Sequence, residues 1–152
     1  MIADIYNDAV SKRLATFDDS PTSVAEMEAD LRASLPTHPG LAIAMDNAVI
    51  GYAVSSPHSS YEPYRDIAEF SVYVSETYRG HGFGRLLLAE LVGRCRQAGF
   101  DKLLSRILAE NAASRALCAS LSFREVGTYE RHARLDGAWR DVVIVEKLLE
   151  KS

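Results

Sequence analysis

Apolar positions along the chain change period several times, and each change marks an element. From Ile2 to Arg13 they fall at Ile2, Ile5, Ala9 and Val10, the spacing of a helix. After Pro21, Ser23-Val24-Ala25-Glu26 has the form of a capping box, so a second helix is expected to run to about Leu35, where PTHPG stops it. LAIAM, the pair Asp46-Asn47 and AVIGYAVSS read as strand, tight turn and strand. PHSSYEPYRD is a loop by its prolines and serines. IAEFSVYVS alternates, with Glu69, Ser71 and Tyr73 on one face and Phe70, Val72 and Val74 on the other. Phe83, Leu87, Leu91 and Cys95 then recur every fourth residue with Leu86 beside them. They predict a helix to about Ala98, which Gly99 closes. KLLSRIL is a short strand, and Asn111 to Leu121 a helix with Ala112, Leu117 and Leu121 available for burial. FREVGTYER and WRDVVIVEKLL are two further strands, with the turn in RLDGAW. The order α α β β β α β α β β predicts an α/β (α+β) chain with a mixed sheet and few parallel crossovers, not a regular doubly wound fold.

Composition narrows the function classes. The chain has 152 residues, no repeat and no linker, which predicts a single domain. Its net charge of −4 argues against a broad nucleic-acid footprint. Cys95 and Cys118, the two cysteines, sit in apolar helical patterns without a CxxC pair, as core thiols in a reducing compartment would. No apolar run reaches the ~18 residues of a membrane span. The start, MIADIYNDAV, carries two aspartates and no basic region, unlike a signal peptide. The expectation is a cytoplasmic protein without a membrane or nucleic-acid partner. His38, His58 and His132 show no metal-ligand spacing, so no metal is expected.

The segment YRGHGFGR carries the first chemistry. Its spacing, Gly80-x-Gly82-x-Gly84, is neither the GxGxxG of dinucleotide sites nor the GxxxxGK[ST] of phosphate loops. Consecutive N–H groups in such a loop curl into an anion-binding nest, and the following helix adds its own free N–H groups and positive end. Arg79 and Arg85 flank it and suit phosphate oxygens. A diphosphate is the indicated guest; the alternative is a glycine turn that only links a strand to a helix.

SVYVSETYRGHGFGRLLLAEL resembles the coenzyme-A-binding motif of the GCN5-related N-acetyltransferases, Q/R-x-x-G-x-G/A, with Arg79, Gly82 and Gly84 at its fixed positions. Downstream, ILAENAASRALCASLSFREVGTY resembles that family's N-x-x-S…L-x-x-x-x-G-F stretch through Asn111, Ser114, Leu117 and Phe123. IYNDAV, AEFSVYVS, GTY and GAWRDVVIVEKLL are similar to the phosphinothricin-type branch, which acetylates amino acids and their phosphinic or sulfone analogues. The resemblance implies a central, mostly antiparallel twisted sheet flanked by helices, with acetyl-CoA in a splay between two parallel strands. Some positions depart from the pattern. The family's first strand is expected to be missing, because Ile2 already lies in the first helix. Ser122 stands where glycine is usual, Cys118 where histidine or tyrosine is frequent, and Leu135 and Asp136 where the branch has lysine and an aromatic residue.

The resemblance also implies roles. It puts the backbone of Val72, Tyr73 and Val74 along the pantetheine arm, Gly80, His81, Gly82, Phe83, Gly84 and Arg85 with Arg79 on the diphosphate, and Asn111 with Ser114 further along the arm. Glu69 matches the branch's glutamate and is the expected general base, since an ammonium must lose its proton before it attacks. A glutamate in an otherwise apolar strand is costly without a use or a partner. The general acid is open between Cys118, Tyr129, Tyr73 and water. Phe17, Tyr64 and Arg65 are expected at the acceptor site, Arg65 as a clamp for a carboxylate or phosphinate. The acceptor is expected to be the primary amine of a small molecule, an amino acid or analogue. A protein, peptide or polyamine acceptor, or a non-catalytic acetyl-CoA-binding module, are the alternatives. A homodimer is expected by analogy with the branch, VVIVEKLL being suited to an interface strand.

Overall fold

The computed structural model describes residues 37–150. The two helices expected up to about Leu35, the expected absence of a first strand, and Phe17 all fall outside the described residues. In chain order the elements are β1 (Gly40–Met45), β2 (Ala48–Pro57), β3 (Ile67–Val74), α1 (Phe83–Gln97), β4 (Lys102–Leu108), α2 (Ala112–Ser120), β5 (Arg124–Leu135) and β6 (Ala138–Leu148), with short 3₁₀ turns at Glu62–Tyr64 and Glu76–Tyr78.

The six strands form one sheet in the order β1-β2-β3-β4-β6-β5. Every pair is antiparallel except β3 with β4. Turn chemistry sets two of the hairpins. Asp46 and Asn47 take φ 50° and 66°, and Asp136 and Gly137 take 52° and 78°. Two successive left-handed residues give the turn whose twist matches a hairpin. The parallel pair needs a crossover, which α1 supplies by packing over β1, β2 and β3.

Burial follows the periods, with two corrections. Leu87, Leu88, Leu91, Val92 and Cys95 of α1 are buried against Ala53, Ala68 and Phe70 of the sheet. Leu86, expected beside that stripe, is 61% exposed, because one residue is 100° of helix and Leu88 fills the inner side instead. On α2 the buried residue is Cys118; Ala112 faces solvent, and Leu117 and Leu121 are half-buried. Ser122, in the place of the family's glycine, takes φ 66°, the conformation for which glycine is the natural residue.

The C-terminal hairpin closes one side of the sheet. VVIV lies in β6, between β4 and β5, so the sheet edge on that side is β5. β5 is exposed along nearly its whole length. The bidentate pair of Arg115 with Glu125, at 2.8 Å on both arms, ties α2 to β5, and Arg115 Nη1 also donates to the Ala109 carbonyl at 2.9 Å. That brace fixes the helix that lines one wall of the site.

Candidate active site

The site begins where two strands part. β3 and β4 pair only at Ile67–Lys102, Ala68–Leu103 and Glu69–Leu104, although β3 continues to Val74 and β4 to Leu108. At the fork the Ser105 hydroxyl donates to the Phe70 carbonyl at 2.9 Å. Beyond it, the β4-facing backbone edge of β3 has no ladder partner among the described residues. An unpaired strand edge offers N–H and C=O groups to an extended ligand.

A cleft of about 450 Å³ opens along that edge. Val72, Tyr73 and Val74 form one wall, and Asn111, Ala113, Ser114 and Leu117 the other. Glu76, Tyr78, Arg79, Gly80, Gly82, Phe83, Gly84 and Arg85 complete its lining. All but one of the residues expected along a coenzyme therefore meet in one cleft. The exception is His81, which is exposed and outside the lining, its ring 6.4 Å from that of Phe83. Glu76, Tyr78, Ala113 and Leu117 were not predicted.

Local geometry explains the anion-binding end. Gly80 and Gly82 take φ 80° and 85°, and a Cβ on either would meet no atom within 4 Å. The glycines are thus required by backbone conformation, and the space beside them is open. Gly82 is the N-cap of α1, with no side chain covering the first turn. Free N–H groups and the positive helix end face the cleft there. Arg79 is steadied by donating from Nε to the Val74 carbonyl at 3.1 Å. Asn111 is buried and caps α2, its Oδ1 accepting from the Ser114 N–H at 3.1 Å. It therefore shapes the wall that Ser114 lines. Two arginines, a nest and a helix N-terminus at one end of the strand edge that β4 leaves fit a diphosphate with a long polar arm.

Glu69 is the last β3 residue in register with β4. Its side chain, 15% exposed, is held at both oxygens: Oε2 lies 3.0 Å from His58 Nδ1 and Oε1 3.0 Å from Arg106 Nη2. Neither partner was singled out for this role from sequence. The signal for Arg106 was its place in KLLSRIL, where alternation sets it on the face of Leu104 and Leu108. The His58 ring meets Tyr64 edge-on at 5.8 Å, and Tyr64 lies 5.4 Å from Tyr61. Tyr64 is thereby joined to the Glu69 cluster through His58. Arg65 points elsewhere, to Glu62 at 2.6 Å and Asp66 at 3.9 Å, and is 69% exposed.

The general-acid candidates separate. Cys118 belongs to the core and does not line the cleft. Burial, with the charge of Glu125 adding to it, pushes its thiol up to about 12. Burial also raises the Cys95 thiol, against a hydrogen bond with Ser55 that lowers it. Tyr129 is 53% exposed and stacks on His132 at 4.4 Å. Tyr73 alone among the three side-chain candidates lines the cleft, its ring 5.2 Å from that of Tyr52. At pH 8 a thiol titrating near 12 is thiolate only to the order of 10⁻⁴. Native protein is accordingly expected to leave both cysteines unlabelled by Ellman's reagent over minutes, with two thiols appearing in denaturant. Rapid native labelling of Cys118 would place it at the cleft instead.

Among the described residues no group of three His, Cys, Asp or Glu side chains is arranged to hold a metal, and no helix is long and apolar enough to cross a membrane.

Comparison with known proteins agrees with this geometry. Residues 2–123 match the model of the acetyltransferase (GNAT) family. An L-methionine sulfoximine/L-methionine sulfone acetyltransferase of Pseudomonas paraeruginosa is 32% identical over 148 residues, covering 96% of this chain and 86% of the relative. A phosphinothricin acetyltransferase of Sinorhizobium meliloti, solved in complex with AcCoA, superposes with a TM-score of 0.92 at 33% identity, covering 97% and 80% of the two chains. A ribosomal-protein-alanine N-acetyltransferase of Brucella melitensis superposes with a TM-score of 0.93 at 36% identity, covering 97% and 91%. With a family match across most of its length and relatives of this identity over nearly all of it, the chain belongs to the acetyltransferase (GNAT) family and is an N-acetyltransferase.

Proposed function

We propose that the protein moves an acetyl group from acetyl-CoA to the primary amine of a small acceptor, an amino acid or an analogue of the methionine sulfone or phosphinothricin type. The observation that carries this reading is the placing of Glu69. A carboxylate held by His58 and Arg106 stands at the last paired position of β3 and β4, where the two strands part, and this supports its reading as the base. The relatives named for small amino-acid analogues support the acceptor class.

Bound in the cleft, acetyl-CoA supplies the acetyl thioester. The chain's own residues do the rest. Arg79, Arg85 and the N–H groups from Gly80 to Gly84 hold the diphosphate, and the β3 backbone from Val72 to Val74 aligns the arm and offers N–H groups to the thioester carbonyl. Glu69 takes a proton from the acceptor ammonium, directly or through a water. The freed amine attacks the carbonyl carbon, the nitrogen gives up its second proton to water, the C–S bond breaks, and the thiolate leaves with a proton from water or from Tyr73. The same reading has the protein act in the cytoplasm as a homodimer, by analogy with the branch it resembles.

A second acceptor class, the N-terminal amine of a protein, is favoured by the likeness to the Brucella enzyme. Coenzyme A thiol release over a panel of acceptors separates the two. Release with L-methionine sulfone or phosphinothricin, and little with peptides beginning in alanine, is the expected result. Release only with such peptides or with polyamines would overturn the small-acceptor reading.

A further inference from the structure

We infer that Arg106 and Glu69 act together as the receptor for the head group of an α-amino acid, Arg106 binding the carboxylate while Glu69 receives the ammonium proton. The inference rests on the reading of Glu69 as the general base and names the substrate feature that the same site selects.

Three observations carry it. Arg106 stands two residues beyond Leu104 on β4, and Leu104 is in register with Glu69, so both side chains emerge on one face beside the fork. The Arg106 Nη2 to Glu69 Oε1 distance is 3.0 Å, so cation and base are immediate neighbours. Their exposures are unequal. Glu69 is 15% exposed and also fixed by His58, whereas Arg106 is 54% exposed. Guanidinium carries five N–H donors in a planar fork, and one edge spent on Glu69 leaves the others directed to whatever arrives from solvent. An α-amino acid carries its ammonium and carboxylate on a single carbon, as close together as the base and cation that would receive them.

The pairing also accounts for a feature that is otherwise a handicap. A guanidinium 3.0 Å from Glu69 repels an approaching ammonium. A substrate carboxylate on Arg106 offsets this charge when the correct acceptor is in place. An amine without a carboxylate leaves the cation uncompensated and meets its repulsion. Discrimination thus comes from attraction to one class and repulsion of the other. The groups facing Glu69 are His58 from the segment after β2 and Arg106 from β4, with Tyr64 behind His58. Arg65, the clamp expected from sequence, is occupied with Glu62 and Asp66.

The test compares L-methionine sulfone with 3-(methylsulfonyl)propylamine, the same molecule without its carboxylate, as acceptors for the full chain and for Arg106→Gln and Arg106→Lys. The wild type is expected to prefer the amino acid. Arg106→Gln should lower the ratio of kcat/KM values, amino acid over amine, by about tenfold or more, mainly through KM for the amino acid. Arg106→Lys should restore part of that ratio by charge without the planar fork. Melting temperature and acetyl-CoA affinity serve as controls for folding. A wild type that uses both acceptors equally, or an Arg106→Gln variant that alters both alike, would overturn the inference and leave the role of Glu69 standing. A wild type that acetylates neither would overturn the small-acceptor reading and the inference with it.

Discussion

Glu69→Gln is expected to lower kcat by about 10²–10⁴-fold, the range for loss of a positioned general base. Gln keeps the shape of the side chain but cannot take a proton from an ammonium at neutral pH. The acceptor therefore stays protonated in the site and has no lone pair to offer. Acetyl-CoA affinity should change little, because Glu69 is outside the lining of the cleft and the anion-binding end is built from Arg79, Arg85 and the glycine loop. The measurement pairs steady-state thiol release with titration calorimetry of acetyl-CoA. A kcat equal to that of the wild type would remove Glu69 from the chemistry. Equal losses of acetyl-CoA binding and turnover would make it a structural residue that joins β3 to Arg106 and His58. The substitution also unbinds Arg106 from its carboxylate, so the amine probe without a carboxylate should lose as much as the amino acid. Only a loss common to both acceptors belongs to the base.

The donor side of this chemistry was legible in the sequence, and the acceptor side was not. The diphosphate end is local: Gly80, Gly82, Arg79 and Arg85 are within seven residues, and positive φ with an open face follows from glycine itself. Asn111 and Ser114 are likewise one helix turn apart, joined by a capping bond that sequence spacing anticipates. Glu69 stood out because carboxylates in apolar strands need a reason. Its partners did not. His58 is 11 residues away across a loop, and Arg106 is 37 residues away on a strand that becomes a neighbour only through the parallel crossover. Nothing in an alternating strand pattern says which strand will lie beside it. The same blindness hid the strand order: nothing in the apolar VVIV of β6 said that it would lie between β4 and β5. Arg65 pairs with Glu62 and Asp66 on its own turn, a local competition that its sequence neighbours announce.

Gly82→Val is expected to weaken acetyl-CoA binding by about tenfold or more, about 1.4 kcal/mol per factor of ten. Two separate effects act at this residue. Its φ of 85° lies in the left-handed region, where a side chain costs roughly 1–2 kcal/mol and a β-branched one is least tolerated. The added atoms would also enter the cleft at the cap of α1, where the free N–H groups of the first turn face outward. Gly82→Asn separates the two, because Asn accepts left-handed backbone at small cost while still filling the space. The melting temperature should fall with Val and hold with Asn, and acetyl-CoA affinity should fall with both. Retained affinity in the Asn variant would overturn the glycine loop as a diphosphate cradle. Gly84 supplies the contrast. A Cβ there would lie 3.5 Å from Leu117 Cδ2 and 3.8 Å from Val74 Cγ2, ordinary packing distances, and its backbone is not left-handed. Gly84→Ala should therefore fold and bind nearly as the wild type does, so the two glycines of one motif are held by different physics: Gly82 by backbone conformation and ligand space, Gly84 by the closeness of α1 to Leu117 and Val74, which admits a methyl group and little more.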